Sequence, residues 1–99
     1  MTKYSFTKKA VNDINEIWNY TYEQWSEKQA DKYYNELLYK CEMLASNPET
    51  GREYFKLFAD LRGYKVNKHI IFYRQIDQNS IEVERILHER MDLKTRLRK

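Results

Sequence analysis

The stretch RGYKVNKHIIFYRQIDQNSIEVERILH, residues 62–88, decides the fold. Tyr64 and Val66 alternate with Lys65 and Asn67, residues 69–76 are rich in β-formers, and Ile81, Val83, Arg85 and Leu87 alternate with Glu82, Glu84 and Ile86. A period of two belongs to strands, whose side chains point to opposite faces in turn. The pattern predicts three consecutive strands, with tight turns at Asn67-Lys68 and at Asp77-Gln78-Asn79-Ser80. Ile70-Ile71-Phe72-Tyr73 has no polar break, so the middle strand is expected at the centre of the sheet, covered on both faces.

Before this stretch the period is helical. Tyr4 and Phe6 alternate with polar neighbours as a short opening strand, and Thr7 can cap the helix that follows. Val11, Ile14, Trp18, Tyr22 and Trp25 recur at spacings of three and four and predict one apolar stripe. Ser26 and Gln29 have the form of a capping box, so a second helix starts there. Its stripe is Ala30, Tyr34, Leu37, Cys41 and Leu44, widened by Tyr33 and Leu38. Helices joined this tightly lie antiparallel. Asn47-Pro48 ends the second one, because proline disfavours helical geometry in the residue before it, and Gly51 supplies a permissive turn. The whole chain, residues 1–99, therefore reads as a single α+β domain of order β-α-α-β-β-β. A helical hairpin packs on a mainly antiparallel four-stranded sheet, followed by a basic C-terminal tail.

Ninety-nine residues suffice for a modest core without metal or disulfide support. The single cysteine, Cys41, cannot form an internal disulfide, and its place on the apolar stripe makes it a packing residue. There is no apolar run of membrane-spanning length and no secretory signal pattern at Met1-Thr2-Lys3-Tyr4-Ser5, so a cytoplasmic location is expected. Charge is divided unevenly: residues 1–50 carry a net −2 and residues 51–99 a net +5. Clustered cations suit a nucleic acid or an acidic protein, and a merely solvated charged face is the other reading. Arg62, Lys65, Arg74 and Arg85 fall on the predicted strands, while His88, Arg90, Lys94, Arg96, Arg98 and Lys99 follow. Arginine forks match phosphate and carboxylate geometry, so a concave sheet face lined this way could hold an RNA backbone or an acidic peptide. Arg85 shares its predicted face with Ile81, Val83 and Leu87, which requires either a local opening or a structural partner for the guanidinium.

No glycine-rich phosphate loop, zinc-type cysteine pair or His-Glu-x-x-His arrangement is present, and His69 and His88 have no carboxylate ligand set beside them. No metal site and no cofactor are expected. Trp18 and Trp25 fit core positions, with a partner-binding surface as the competing role.

The order of elements resembles the RelE/ParE toxin superfamily, and the details resemble its ParE branch. They are Trp18, Trp25-Ser26 with Gln29-Ala30, Asn47-Pro48 with Gly51, Leu61-Arg62, the run from His69 to Arg74, and the ending from Arg85 to Asp92. The resemblance covers nearly the whole chain. It implies the toxin of a type II toxin-antitoxin module of the kind linked to plasmid stabilisation, with a ParD-like antitoxin as partner. Operator DNA would be reached only through that antitoxin, and no membrane is involved. It further implies inhibition of DNA gyrase without catalysis. Arg85, His88, Arg90, Lys94, Arg96 and Arg98 would then bind the target, and removing residues 88–99 should silence the toxin while sparing the fold. The antitoxin would lie across the hairpin and sheet, with Tyr22, Trp25, Tyr33, Arg62 and Arg74 as contact candidates.

The alternative within the superfamily is a ribosome-dependent mRNA endonuclease, for which Lys65, His88 and Arg90 would be catalytic. Histidine is suited to proton transfer near neutrality, and cations would stabilise the phosphate transition state. Asn67 and Ile70 stand where further basic residues would be expected, and the C-terminal tyrosine of those enzymes is replaced near Arg96. A non-toxic relative that only binds its partner is the third reading.

Overall fold

Thr7 and Ser26 set the helix starts by the same device, each side-chain oxygen accepting from the backbone N–H three residues on, at 3.1 and 3.0 Å. The computed structural model describes residues 2–97, so the roles expected of Arg98 and Lys99 lie outside the described residues. The order is β1 (Lys3–Phe6), α1 (Lys8–Gln24), α2 (Glu27–Ser46), a 3₁₀ turn (Pro48–Thr50), β2 (Arg52–Glu53), β3 (Arg62–Val66), β4 (His69–Asp77), β5 (Ser80–His88) and α3 (Leu93–Leu97). The sheet runs β1-β5-β4-β3-β2. All its pairings are antiparallel except β1 with β5, since the chain returns to β5 after the helices and the β3–β4 hairpin.

The predicted hairpin turns are in place. Val66 pairs with His69 across Asn67-Lys68, where Asn67 takes a left-handed φ of 53°, and Asp77 pairs with Ser80. Asparagine tolerates that conformation better than other side chains. The sheet has five strands where four were expected, the fifth being the two-residue edge strand β2. Its sequence, Arg52-Glu53, is too short and too polar to show a period.

One face of the sheet packs on the hairpin, with Ile71, Tyr73, Ile81, Val83 and Ile86 meeting Ile14, Ile17, Leu37, Cys41 and Leu44. The opposite face carries Ile70, Phe72 and Leu87, covered by Leu61, Leu97 and the side chains of Tyr54, Leu57, Phe58 and Leu93. The middle strand is covered on both sides, as its unbroken apolar run requires. The sequence predicts only a cationic tail after β5, whereas the first part of that tail is the short helix α3. Leu93 and Leu97 anchor it to the outer face. Removing residues 88–99 would uncover that face, so it is not the fold-neutral change expected from sequence.

The α1 stripe also differs. Its buried residues are Ala10, Asp13, Ile14 and Ile17, whereas Val11 is 42% exposed and Trp25 76% exposed. Small and aliphatic side chains face the sheet. The larger rings lie to the side, Trp18 stacked on Tyr22 at 5.3 Å and donating its indole N–H to Asp31 on α2. Trp25 is therefore no core residue. Cys41 is fully buried, and burial pushes its thiol up to about 12, which leaves it unreactive at neutral pH.

A β-bulge changes the face of Arg85. Phe72 pairs with Arg85 while Tyr73 pairs with Val83, so Glu84 is the extra residue. Beyond it the alternation is reversed: Ile86 joins Ile81 and Val83 against the helices, and Leu87 joins the outer cluster. Arg85 consequently does not share a face with Ile81 and Val83, and of its two expected alternatives, a local opening or a structural partner, it has the partner, Asp13.

Candidate functional site

A groove of about 960 Å³ lies where the helical hairpin overhangs the β3–β4 turn and the end of β5. Its helical wall sets Ile17 and the aromatic Tyr20, Trp25 and Tyr33 beside the polar Asp13, Glu16, Thr21 and Gln29. Its sheet end is polar and cationic, with Asn67, Lys68, His69, His88 and Arg90. An amphipathic segment matches such walls, because apolar area drives burial while convergent polar groups fix orientation.

The histidines are cross-strand neighbours, His69 pairing with His88 in register, with ring centroids 5.4 Å apart and edge to face. Tyr33 donates its hydroxyl proton to the Val66 carbonyl at 3.0 Å and lies 2.8 Å from His69 Nδ1. With that proton committed, His69 Nδ1–H donates to the tyrosine oxygen, and Nε2 carries the lone pair. Burial first, then neighbouring His88, push His69 down to about 4, so it is neutral at pH 7. Burial likewise pushes Tyr33 up to about 12. His88 Nδ1 accepts the Arg90 N–H at 3.1 Å, so its neutral form carries the hydrogen on Nε2. Among the described residues no three His, Cys, Asp or Glu side chains converge as a metal site would need.

Of the residues singled out from sequence, the fold brings Trp25, Tyr33, His88 and Arg90 together in this groove. Tyr22 lies outside it, exposed beside Trp18. Arg62 is at the β2 edge, donating to the Gly51 carbonyl at 3.0 Å, 3.7 Å from Glu53 and over the Phe55 ring. Arg74, Arg85 and Arg96 border a smaller recess of about 440 Å³ on the outer face, together with Glu82 and Glu84. Lys94 is exposed on α3. Lys65 pairs with Glu89 at 2.9 Å, and this contact holds the Glu89 carboxyl below the usual carboxylate range.

The strand cations therefore do not line one open concave face. The ladder sets Lys65 opposite Ile70 and Ile70 opposite Leu87, on the outer face, whereas Val66, His69 and His88 form the neighbouring row on the helical side. Lys65 and His88 point to opposite sides of the sheet. The outer face between the arginines is apolar and covered.

Two residues of consequence escaped the sequence reading. His69 stands alone in the sequence, although a two-residue turn at Gln78-Asn79, which sets Asp77 opposite Ser80, also sets His69 opposite His88. Asp13 belongs to no motif in the sequence. The residue is 8% exposed, and its carboxylate accepts from Arg85 Nε at 2.7 Å, Arg85 Nη2 at 3.0 Å and the Ile86 backbone N–H at 3.0 Å. These bonds raise the Arg85 pKa above its usual value. The available signal was an acid directly before Ile14 in a buried stripe, since a buried carboxylate needs a partner.

Comparison with known proteins agrees with this architecture. Residues 4–93 match the family model of the ParE toxin of type II toxin-antitoxin system, parDE. The chain is 34% identical over 92 residues to Toxin ParE1 of Mycobacterium tuberculosis, covering 93% of this chain and 94% of that one. It is 32% identical over 97 residues to Toxin ParE1 of Caulobacter vibrioides, covering 98% and 99% of the two chains. A solved structure, the chromosomal ParDE TA system from P. aeruginosa, shares the fold at a TM-score of 0.73 and 17% identity, covering 89% of this chain and 96% of that one. The chain thus belongs to the ParE toxin family of type II toxin-antitoxin systems.

Proposed function

We propose that this toxin acts by binding DNA gyrase directly, without catalysis, and is silenced by a ParD-like antitoxin whose segment occupies the groove. The observation that carries the non-enzymatic reading is the ladder register. A phosphate-cleaving site needs its cations and proton-transfer groups around one reacting atom. Lys65 faces away from His88 and is already paired with Glu89. The exposed Lys94 and Arg96 of α3 are the target-binding candidates, while Arg85 serves structure through Asp13. The test is a supercoiling assay with purified gyrase beside a translation extract probed for message cleavage. Gyrase inhibition with intact message is expected.

The endonuclease reading retains one observation, that His88 and Arg90 share the groove. Cut message with active gyrase would establish it. For the antitoxin, the exposed indole of Trp25 at the groove is the expected anchor. Trp25→Ala should weaken binding of a ParD-like antitoxin by about 2 kcal/mol, measured by calorimetry. Undiminished affinity would exclude that role.

A further inference from the structure

We propose that Asp13, acting through Arg85, is a positioning residue for the target-binding end of the chain. It fixes α3, and with it Lys94 and Arg96, against the outer face of the sheet. The role rests on the reading that α3 carries the target contacts.

The argument begins at the edge of β5. β1 accompanies β5 only as far as Phe6 opposite Val83, so the next residues of β5 have no strand on that side. Side chains from the start of α1 take its place: Thr7 donates its hydroxyl to the Glu84 carbonyl at 2.8 Å, and Asp13 accepts the Ile86 N–H. Without these, backbone groups at a half-buried edge would lose their partners. The bulge at Glu84 then turns Arg85 toward the outer face, yet its guanidinium remains within reach of Asp13. Nε and Nη2 meet the two carboxylate oxygens as a planar fork. That leaves Nη1, which donates to the Arg96 carbonyl at 2.7 Å.

Arg96 lies in the last turn of α3, where carbonyls have no partner within the helix and where a cation is favoured. A five-residue helix is far too short to persist alone. Leu93 and Leu97 hold it down by apolar contact, which is not directional, and the Arg85 bond adds the directional restraint. Asp13 also borders the groove on the other side of the molecule. One carboxylate thus stands between the helical hairpin and the basic end of the chain.

The experiment uses the full chain carrying Arg85→Lys, which keeps a cation for Asp13 but lacks the fork that spans Asp13 and the Arg96 carbonyl at once. Hydrogen exchange at residues 93–97 should accelerate, and gyrase inhibition should fall, each by about tenfold, as expected for losing one charged hydrogen bond. Asp13→Asn, which keeps an acceptor for Ile86, should loosen the same amides. Unchanged exchange in both variants would overturn the positioning role. Lost inhibition with unchanged exchange would also overturn it, because Arg85 would then be touching gyrase itself. A wild-type chain that leaves gyrase active would instead overturn the target reading, while exchange at α3 still reports the link.

Discussion

His69 shows how a single side chain is set by its neighbours. It would ordinarily titrate near 6.5, but burial and the adjoining His88 hold it down to about 4. Between these values the unfolded chain takes up a proton that the folded chain refuses. Its contribution to stability is therefore complete above pH 6.5 and is lost as pH falls toward 4. Replacing His69 by asparagine, whose amide can still donate to Tyr33, should remove that loss. Urea midpoints at pH 7 and pH 5 should then differ less in the variant than in the wild type. Equal differences in the two proteins would contradict the account. Carboxylates held low by hydrogen bonds, such as Asp77 and Glu89, titrate in both proteins and cancel from the comparison. This property was not legible in the sequence, where a lone histidine beside a turn carries no burial signal. Arg85 was partly legible: an arginine amid apolar alternation needs either a local opening or a partner, and the partner it has lies 72 residues away.

Elements were legible where a local rule governs them. The caps at Thr7 and Ser26, the stop at Asn47-Pro48, the two hairpin turns and the buried middle strand all follow from short-range chemistry. Elements governed by tertiary contact were not. Residues 54–61 cover the outer face without a period of their own, and β2 exists only because β3 offers an edge. The bulge is the most consequential miss, since it reverses the facing of residues 85–88 while leaving their composition unchanged. Deleting Glu84 should restore simple alternation with Arg85, Ile86 and Leu87 on their present faces, because Val83 and Arg85 already pair with successive residues of β4. Cooperative thermal unfolding is the expected result, monitored by near-UV circular dichroism. A deletion variant without a cooperative melt would contradict this and show that the bulge itself is needed.

At the scale of the molecule the two faces of the sheet have different occupations. The helical side ends in a groove with an aromatic wall and a polar end, and the outer side is closed by residues 54–61 and the basic helix α3. Family membership fixes the toxin class, and the proposed division is antitoxin in the groove and gyrase on α3. The direct measurement is supercoiling by purified gyrase in the presence of the wild-type chain and of a Lys94→Ala/Arg96→Ala variant that retains the buried leucines of α3. Inhibition by the wild type, weakened about tenfold or more by removing the two exposed cations, is predicted. Full inhibition by the variant, or active gyrase at every concentration of wild-type chain, would contradict the account.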